Sequence, residues 1–122
     1  MIVSDSHIDI ARAYDRPPRP QGGHAFLVDR VWPRGVKKAE LDIDDWHRDV
    51  APSTELRTWF GHDPDRFEEF RRRYRAELDD HPDVAETIVD AARNDPVLLI
   101  YGAKDTEHNQ AVVLREWILE HL

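Results

Sequence analysis

The sequence predicts an α/β fold: a small, mostly parallel sheet of about three strands flanked by about five helices, in a single domain over residues 1–122. Residues 25–31 and 97–101 are short apolar runs bordered by proline, which is typical of buried strands. Between them, residues 41–93 change to apolar spacings of three and four, which is typical of helices. A helical crossover of this length makes the two flanking strands parallel.

The first predicted strand, residues 7–14, is indicated by the alternation of Ile8 and Ile10. The loop after it, residues 15–23, holds three prolines and two glycines, so it continues neither a helix nor a central strand. Because this loop is short and has no helix, an antiparallel pairing of the first two strands stays open. The third strand, VLLIY at 97–101, is apolar throughout and is predicted to be central, with both faces buried.

Five helices are predicted, over residues 41–50, 53–60, 64–80, 82–93 and 106–122. Ser53 is the predicted cap of the second helix, which ends at Gly61. Asp105 or Thr106 is the predicted cap of the last helix. The third helix carries an apolar stripe, and three tryptophans are assigned to the core: the stripe is Phe67, Phe70, Tyr74 and Leu78, and the tryptophans are Trp46, Trp59 and Trp117.

Charge and composition limit the possible partners of the chain. A formal net charge of -8 and a pI near 5.3 argue against broad electrostatic binding to nucleic acid or anionic lipid. The chain has no cysteine, which excludes disulfides, thiolate nucleophiles and cysteine-bound zinc. No apolar run approaches the ~20 residues that cross a bilayer, and the N-terminus lacks a signal-peptide pattern. We therefore expect a cytoplasmic protein without a membrane partner.

Polar residues follow the second and third predicted strands. Because the carboxyl ends of parallel strands meet at one edge of a sheet, and ligands bind there, these residues predict one shared pocket. Arginines in the first group suit an anion, and an aromatic ring suits a planar group, so the predicted partner is an anionic small molecule containing a phosphate or a nucleobase. The predicted ligand-binding residues of this pocket are Arg30, Trp32, Arg34, Gly35, Tyr101 and Asn109. His62, between two predicted helix ends, is added to them, since it can swing toward the rim, although it can also simply fill the turn.

Four residues of this rim are candidates for proton transfer. Asp29 and Asp105, at neighbouring strand ends, can form a carboxylate pair in which one pKa is raised. Lys104 can neutralise the pair or act as a base, and His108 can transfer protons. Whether the protein is an enzyme stays open, no particular cofactor is implied, and no group has a diagnostic metal-ligand spacing.

The same residues also have structural interpretations. Surface charge and a core tryptophan account for the stretch VDRVWPRGVKK, a buried ion pair accounts for Asp29 and Arg30, and helix capping accounts for Asp105. The arginines of residues 71–75 are predicted to form a solvated face, although with the rim they also permit a nucleic-acid-binding or regulatory partner-binding module. The glutamates predicted to balance them are Glu68, Glu69 and Glu77.

Three long motifs carry a family resemblance. They are VDRVWPRG at residues 28–35, DDWHRDVAPSTELRTWFGHDPDRFEEFRRRYRAEL at 44–78, and LLIYGAKDTEHNQAVVLREWILEHL at 98–122. Together they cover nearly the whole chain, which resembles the short, YeaO-like branch of the family named domain of unknown function 488. The resemblance implies no substrate. The characteristic positions it implies are Asp29 to Arg30, Trp32 to Gly35, Ala51 to Ser53, Trp59 to His62, Lys104, Asp105, His108 and Asn109.

Longer relatives in this family resemble the chain but carry a Cys-His-Arg element where it has Glu107-His108-Asn109. The resemblance therefore implies no cysteine chemistry at this position.

Overall fold

The protein is a four-stranded parallel sheet with four α-helices, and its computed structural model describes residues 8–122. The strands are β1 (Ile8–Arg12), β2 (His24–Leu27), β3 (Asp45–Trp46) and β4 (Val97–Tyr101), in the spatial order β1-β4-β2-β3. The predicted α/β class is confirmed, with one strand more and one helix fewer than expected. The predicted first strand began at residue 7, which lies outside the described residues.

Strands β1 and β2 are not neighbours, so the possible antiparallel pairing between them is wrong. β4 lies between them and pairs in parallel with both: Val97 is opposite Ile8 on one side and opposite His24 on the other. The apolar run of β4 explains this position. In the centre of the sheet both faces of a strand are buried, which removes all five of its apolar side chains from water.

The predicted helix over residues 41–50 is also wrong. This segment forms β3 at the edge of the sheet, followed by a single 3₁₀ turn at Arg48–Val50. Hydrogen bonds to β2 hold it: the amide of Asp44 donates to the carbonyl of Ala25, and the amide of Ala25 donates to the Asp44 carboxylate, both at 2.8 Å. Tertiary pairing therefore overrides a local helical spacing.

The helices are α1 (Thr54–Phe60), α2 (Phe67–Asp80), α3 (Glu86–Asn94) and α4 (Gln110–Glu120). The predicted Ser53 cap is confirmed, because its hydroxyl accepts from the amide of Leu56 at 3.2 Å. Helix α4 begins four residues later than predicted. Its cap is Asn109, whose side-chain oxygen accepts from the amide of Val112 at 3.1 Å.

The two faces of the sheet are covered by different material. Alternate residues of β4 point to opposite faces, so Val97, Leu99 and Tyr101 pack against the helices, whereas Leu98 and Ile100 pack against the segment of residues 32–46. The predicted stripe of α2 is buried throughout. Of the three tryptophans assigned to the core, Trp117 is buried, whereas Trp46 and Trp59 are only half-buried.

The ring of Trp59 lies under two guanidinium groups, those of Arg66 and Arg73, at 5.3 and 4.4 Å from its centroid. Among residues 8–122, no helix has both the length and the apolar character needed to cross a membrane.

Candidate functional site

A cavity of about 240 Å³ lies where β2 and β4 end side by side. Residues 29–34 after β2, residues 102–103 after β4, helix α1 with the turn after it, and the start of α4 all contribute to its wall. Its polar lining residues are Tyr14, Asp29, Arg30, Arg34, Arg57, His62 and Gln110, and its main apolar ones are Val31, Trp32, Pro33, Phe60 and Phe70.

Asp29 is the one carboxylate among the residues that line this cavity. Its Oδ2 accepts from the amide of Gly102 at 2.8 Å, and its Oδ1 accepts from the side-chain amide of Gln110. Burial raises the pKa of Asp29 from 3.8 to about 6, although the Gly102 amide, the charge of Arg57 and the Gln110 amide oppose this shift. The carboxyl group is therefore a partly buried part of the cavity wall, and with a pKa of about 6 it is mostly ionised at neutral pH.

The carboxylate pair proposed for Asp29 and Asp105 does not explain the raised pKa. Desolvation is its largest cause, and Asp105 does not line the cavity. Asp105 instead accepts from the amides of Glu107 and His108, at 2.9 and 3.0 Å, and these hydrogen bonds lower its pKa. Its observed role is to close the turn before α4.

Arginines supply the positive charge of the cavity. The guanidinium of Arg30 donates to the carbonyls of Pro52 and Ala51, at 3.1 and 3.2 Å, and so holds the wall in place. Arg34 and Arg57 are exposed, and within residues 8–122 neither side chain has an ion-pair or hydrogen-bond partner. Two guanidinium groups are therefore available at the mouth.

His62 also lies at the mouth, after the glycine that ends α1. Its φ of 58° places it in the left-handed region, which is uncommon for a residue with a side chain. Its ring is 6.2 Å from that of Phe60, centroid to centroid. Such unusual backbone conformations occur often at functional sites, and here the conformation brings an imidazole to the cavity.

Aromatic rings form the apolar part of the lining. Phe60 and Phe70 stack with centroids 4.3 Å apart at its base. Trp32 donates its indole N–H to the carbonyl of Val36 at 2.6 Å and meets the ring of Trp46 edge to face. Because that N–H is already bonded within the loop, Trp32 offers a ligand its ring rather than a hydrogen bond.

The remaining predicted site residues lie outside the cavity lining. Tyr101 is buried in the core, and burial raises its pKa. Asn109 caps α4, and the imidazole of His108 contacts the carboxylate of Asp105 at 2.9 Å and the ring of Phe67. Lys104 is exposed. Gly35 is exposed with a φ of 83°, so the turn requires glycine there for its conformation and not for close approach of a ligand.

Arg57 and Gln110 belong to the cavity but were not predicted. Both lie on helices, where only the packing of the helix decides which face meets a pocket. The sequence did contain one indication for Arg57: it lies three residues before Phe60, and residues three apart share a helix face.

The arginines of α2 have a different environment. Each pairs with a glutamate: Arg71 with Glu68 and Glu116, Arg72 and Arg73 with Glu69, and Arg75 with Glu120. Glu77, predicted to balance them, instead accepts from the Ser53 amide and hydroxyl at 2.8 and 2.6 Å. This face is therefore largely neutralised.

No group of three or more histidine, aspartate or glutamate side chains within residues 8–122 is arranged to hold a metal ion.

Gly102→Ala should test how closely Asp29 is held. A Cβ at this position would lie 2.7 Å from Asp29 Oδ2, so we expect the free energy of unfolding to fall by about 1–3 kcal/mol in urea denaturation. In an Asp29→Ala background most of this cost should disappear, because the clashing oxygen is gone. An equal cost in both backgrounds would show that the clash lies elsewhere.

Comparison with known proteins gives the family of the chain. Residues 7–122 match the family DUF488-N3i, described as the inactive DUF488-N3 subclade. Over 112 residues the chain is 41% identical to the uncharacterised protein YeaO of Escherichia coli K12, a match that covers 92% of this chain and 96% of YeaO. Over 85 residues it is 44% identical to Mb3100c of Mycobacterium bovis and to Rv3073c of Mycobacterium tuberculosis, uncharacterised proteins, with 70% of this chain and 71% of each relative covered. No solved structure matches significantly. The chain is therefore a YeaO-like member of the DUF488-N3i family.

Proposed function

We propose that the protein binds a small organic anion, a phosphate-bearing compound with a planar ring such as a nucleotide, in the cavity between the ends of β2 and β4. The observation that carries this proposal is the pair of exposed guanidinium groups, Arg34 and Arg57, which line an aromatic-walled cavity and have no ion-pair or hydrogen-bond partner among the described residues 8–122. In contrast, every arginine of α2 has a glutamate partner.

The charge at the mouth favours a phosphate group. Guanidinium groups present paired donors in a plane, a geometry that matches the oxygens of phosphate and carboxylate. His62 adds a third potential donor at the same opening. Because the protein as a whole carries a formal charge of -8, a local cationic mouth is a feature of this site and not of the surface in general.

The size of the cavity limits the ligand. Pockets for drug-sized molecules enclose roughly 300–1,000 Å³. A volume of about 240 Å³ therefore suits one base or sugar ring, with the phosphate at the opening. Phe60, Phe70 and Trp32 provide ring surfaces on which a planar group can pack.

Binding is favoured over catalysis. The description of the family as inactive agrees with this choice. Lys104, Asp105 and His108, the residues proposed with Asp29 for proton transfer, do not line the cavity. A cytoplasmic location is part of the proposal, since a chain without cysteine gains nothing from an oxidising compartment.

Arg34→Ala and Arg57→Ala should each weaken ligand binding by about tenfold or more, since each removes a charged hydrogen bond worth roughly 1.5–3 kcal/mol. Thermal-shift screening with nucleoside monophosphates and sugar phosphates finds the ligand, because a compound at about 100 times its Kd adds ~2.7 kcal/mol of stability. Calorimetric titration of the wild type and both variants then gives the loss.

Arg72→Ala is the matched control, because this arginine is exposed, pairs with Glu69 and does not line the cavity. It should bind as the wild type does. Undiminished binding in both cavity variants, or no stabilisation by any phosphate compound, contradicts the proposal. Tight, steeply salt-dependent binding to random oligonucleotides that is lost in Arg72→Glu would favour the nucleic-acid alternative instead.

A further inference from the structure

The cavity wall carries one carboxylate, that of the partly buried Asp29, whereas its guanidinium groups Arg34 and Arg57 are exposed. We propose that Asp29 selects nucleobases that carry an exocyclic amino group, so that the preferred ligands are nucleoside monophosphates of bases such as guanine and cytosine. This inference rests on the proposed function and names the ligand class of the same site.

The placement of charge orients such a ligand. Asp29 is mostly buried, whereas Arg34 and Arg57 are exposed at the opening. An anionic phosphate is attracted to the guanidinium groups and repelled by the carboxylate, so the phosphate stays at the mouth and the base enters first.

The Asp29 carboxylate has acceptor capacity to spare. An ionised carboxylate has about four acceptor sites on its two oxygens. The Gly102 amide and the Gln110 side chain each occupy one, on different oxygens. At least one further donor can therefore bond to the group within the cavity, and a carbonyl oxygen of a base cannot.

Asp29 is also held in position before a ligand arrives. Its side chain is fixed by Gly102, directly after β4, and by Gln110 of α4, and its own carbonyl accepts from the indole of Trp46 at 2.7 Å. A group that cannot turn away from an unsuitable base discriminates better than a mobile one.

The bases differ in the hydrogen-bonding groups that they present to a carboxylate. Carboxylates accept from the amino group of cytosine, and guanine presents a ring N–H next to its amino group. Uracil has an oxygen where cytosine has the amino group, and its ring N–H lies between two carbonyl oxygens that a carboxylate repels. Hypoxanthine keeps the ring N–H of guanine but lacks the amino group beside it. A site built for a donor rejects an analogue that lacks it more strongly than an apolar pocket does.

Calorimetric titration with two matched pairs tests this: cytidine against uridine monophosphate, and guanosine against inosine monophosphate. With the wild type at about two pH units above the pKa of Asp29, we expect the amino-bearing member of each pair to bind about tenfold or more tightly. In Asp29→Asn the ratio should fall to about one, because an amide can also donate to an oxygen. Arg34→Ala should weaken all four without changing the ratios.

Equal affinities within both wild-type pairs would overturn the selection by Asp29 and leave the proposed function standing. A ratio that persists in Asp29→Asn would also overturn it. If none of the four compounds binds while other phosphates do, this inference fails; if no phosphate binds, the proposed function fails with it. An NMR titration of the Asp29 carboxyl carbon in the wild type, expected to shift more with the amino-bearing member, needs no variant.

Discussion

Wild-type protein and Asp29→Asn should differ in unfolding free energy by an amount that changes with pH. The pKa of Asp29 is 3.8 unfolded and about 6 in the fold, because burial penalises the charged carboxylate. Between these values the folded protein binds more protons than the unfolded chain, so its stability falls as pH rises. The contribution of Asp29 is fully present below pH 3.8 and is lost as pH rises through about 6.

The size of this effect follows from the shift. A difference of about two pKa units corresponds to about 3 kcal/mol. The asparagine variant lacks the titration, so its stability minus that of the wild type should rise by up to about 3 kcal/mol between pH 4 and 7. Urea denaturation at a series of pH values measures both proteins.

Asp105→Asn is the control with the opposite sign. Hydrogen bonds from the amides of Glu107 and His108 lower the pKa of Asp105, so its contribution is present at neutral pH and lost in acid. The stability of this variant minus that of the wild type should therefore fall as pH rises. A pH-independent difference for Asp29→Asn would mean that its carboxylate is hydrated in the fold.

Phe70→Ala should be the most destabilising substitution at the site. Phe70 is 1% exposed, and its ring stacks on Phe60 and contacts Tyr74 and Phe67. Removing a buried phenyl ring costs about 3–5 kcal/mol, because the cavity left behind collapses only partly. Since a folded protein is stable by only about 5–15 kcal/mol, much of the stability is lost. Urea denaturation followed by circular dichroism measures the change.

Phe70→Leu provides the control, because it keeps most of the apolar volume and should cost less than Phe70→Ala. Phe70 also lines the cavity, so ligand affinity should fall in the alanine variant even where it is folded. A cost below about 1.5 kcal/mol for Phe70→Ala would show that the aromatic cluster does not form a tightly packed base.

Elements with a strong local pattern were predicted well. The apolar residues of β4 and the apolar stripe of α2 can leave water only if these segments form a buried strand and a helix with one buried face. Ser53 caps α1 through a hydrogen bond to a residue three positions along the chain. The prediction failed at residues 41–50, where hydrogen bonds to β2 decide the structure. It also failed at the start of α4, where Asn109 and Asp105 were both suitable caps.

The candidate site also contains residues that the sequence pattern predicted and residues that it did not. Asp29, Arg30, Trp32 and Arg34 were predicted, because they directly follow a strand whose end lies at the rim of a parallel sheet. Tyr101 ends the neighbouring strand and residues 104–109 follow it, yet only Gly102 and Ala103 of that connection line the cavity. Asp105 instead closes the turn before α4, and Asn109 caps that helix.

Spacing and composition along the chain were enough to predict the α/β class, the central strand and the amphipathic helices, and its long motifs were enough to predict the family. Three features became visible only in the folded chain: β4 separates β1 from β2, Arg57 and Gln110 line the cavity, and burial raises the pKa of Asp29. Strand order, helix orientation and desolvation depend on contacts between segments that are distant in sequence, and a local sequence pattern contains no information about such contacts.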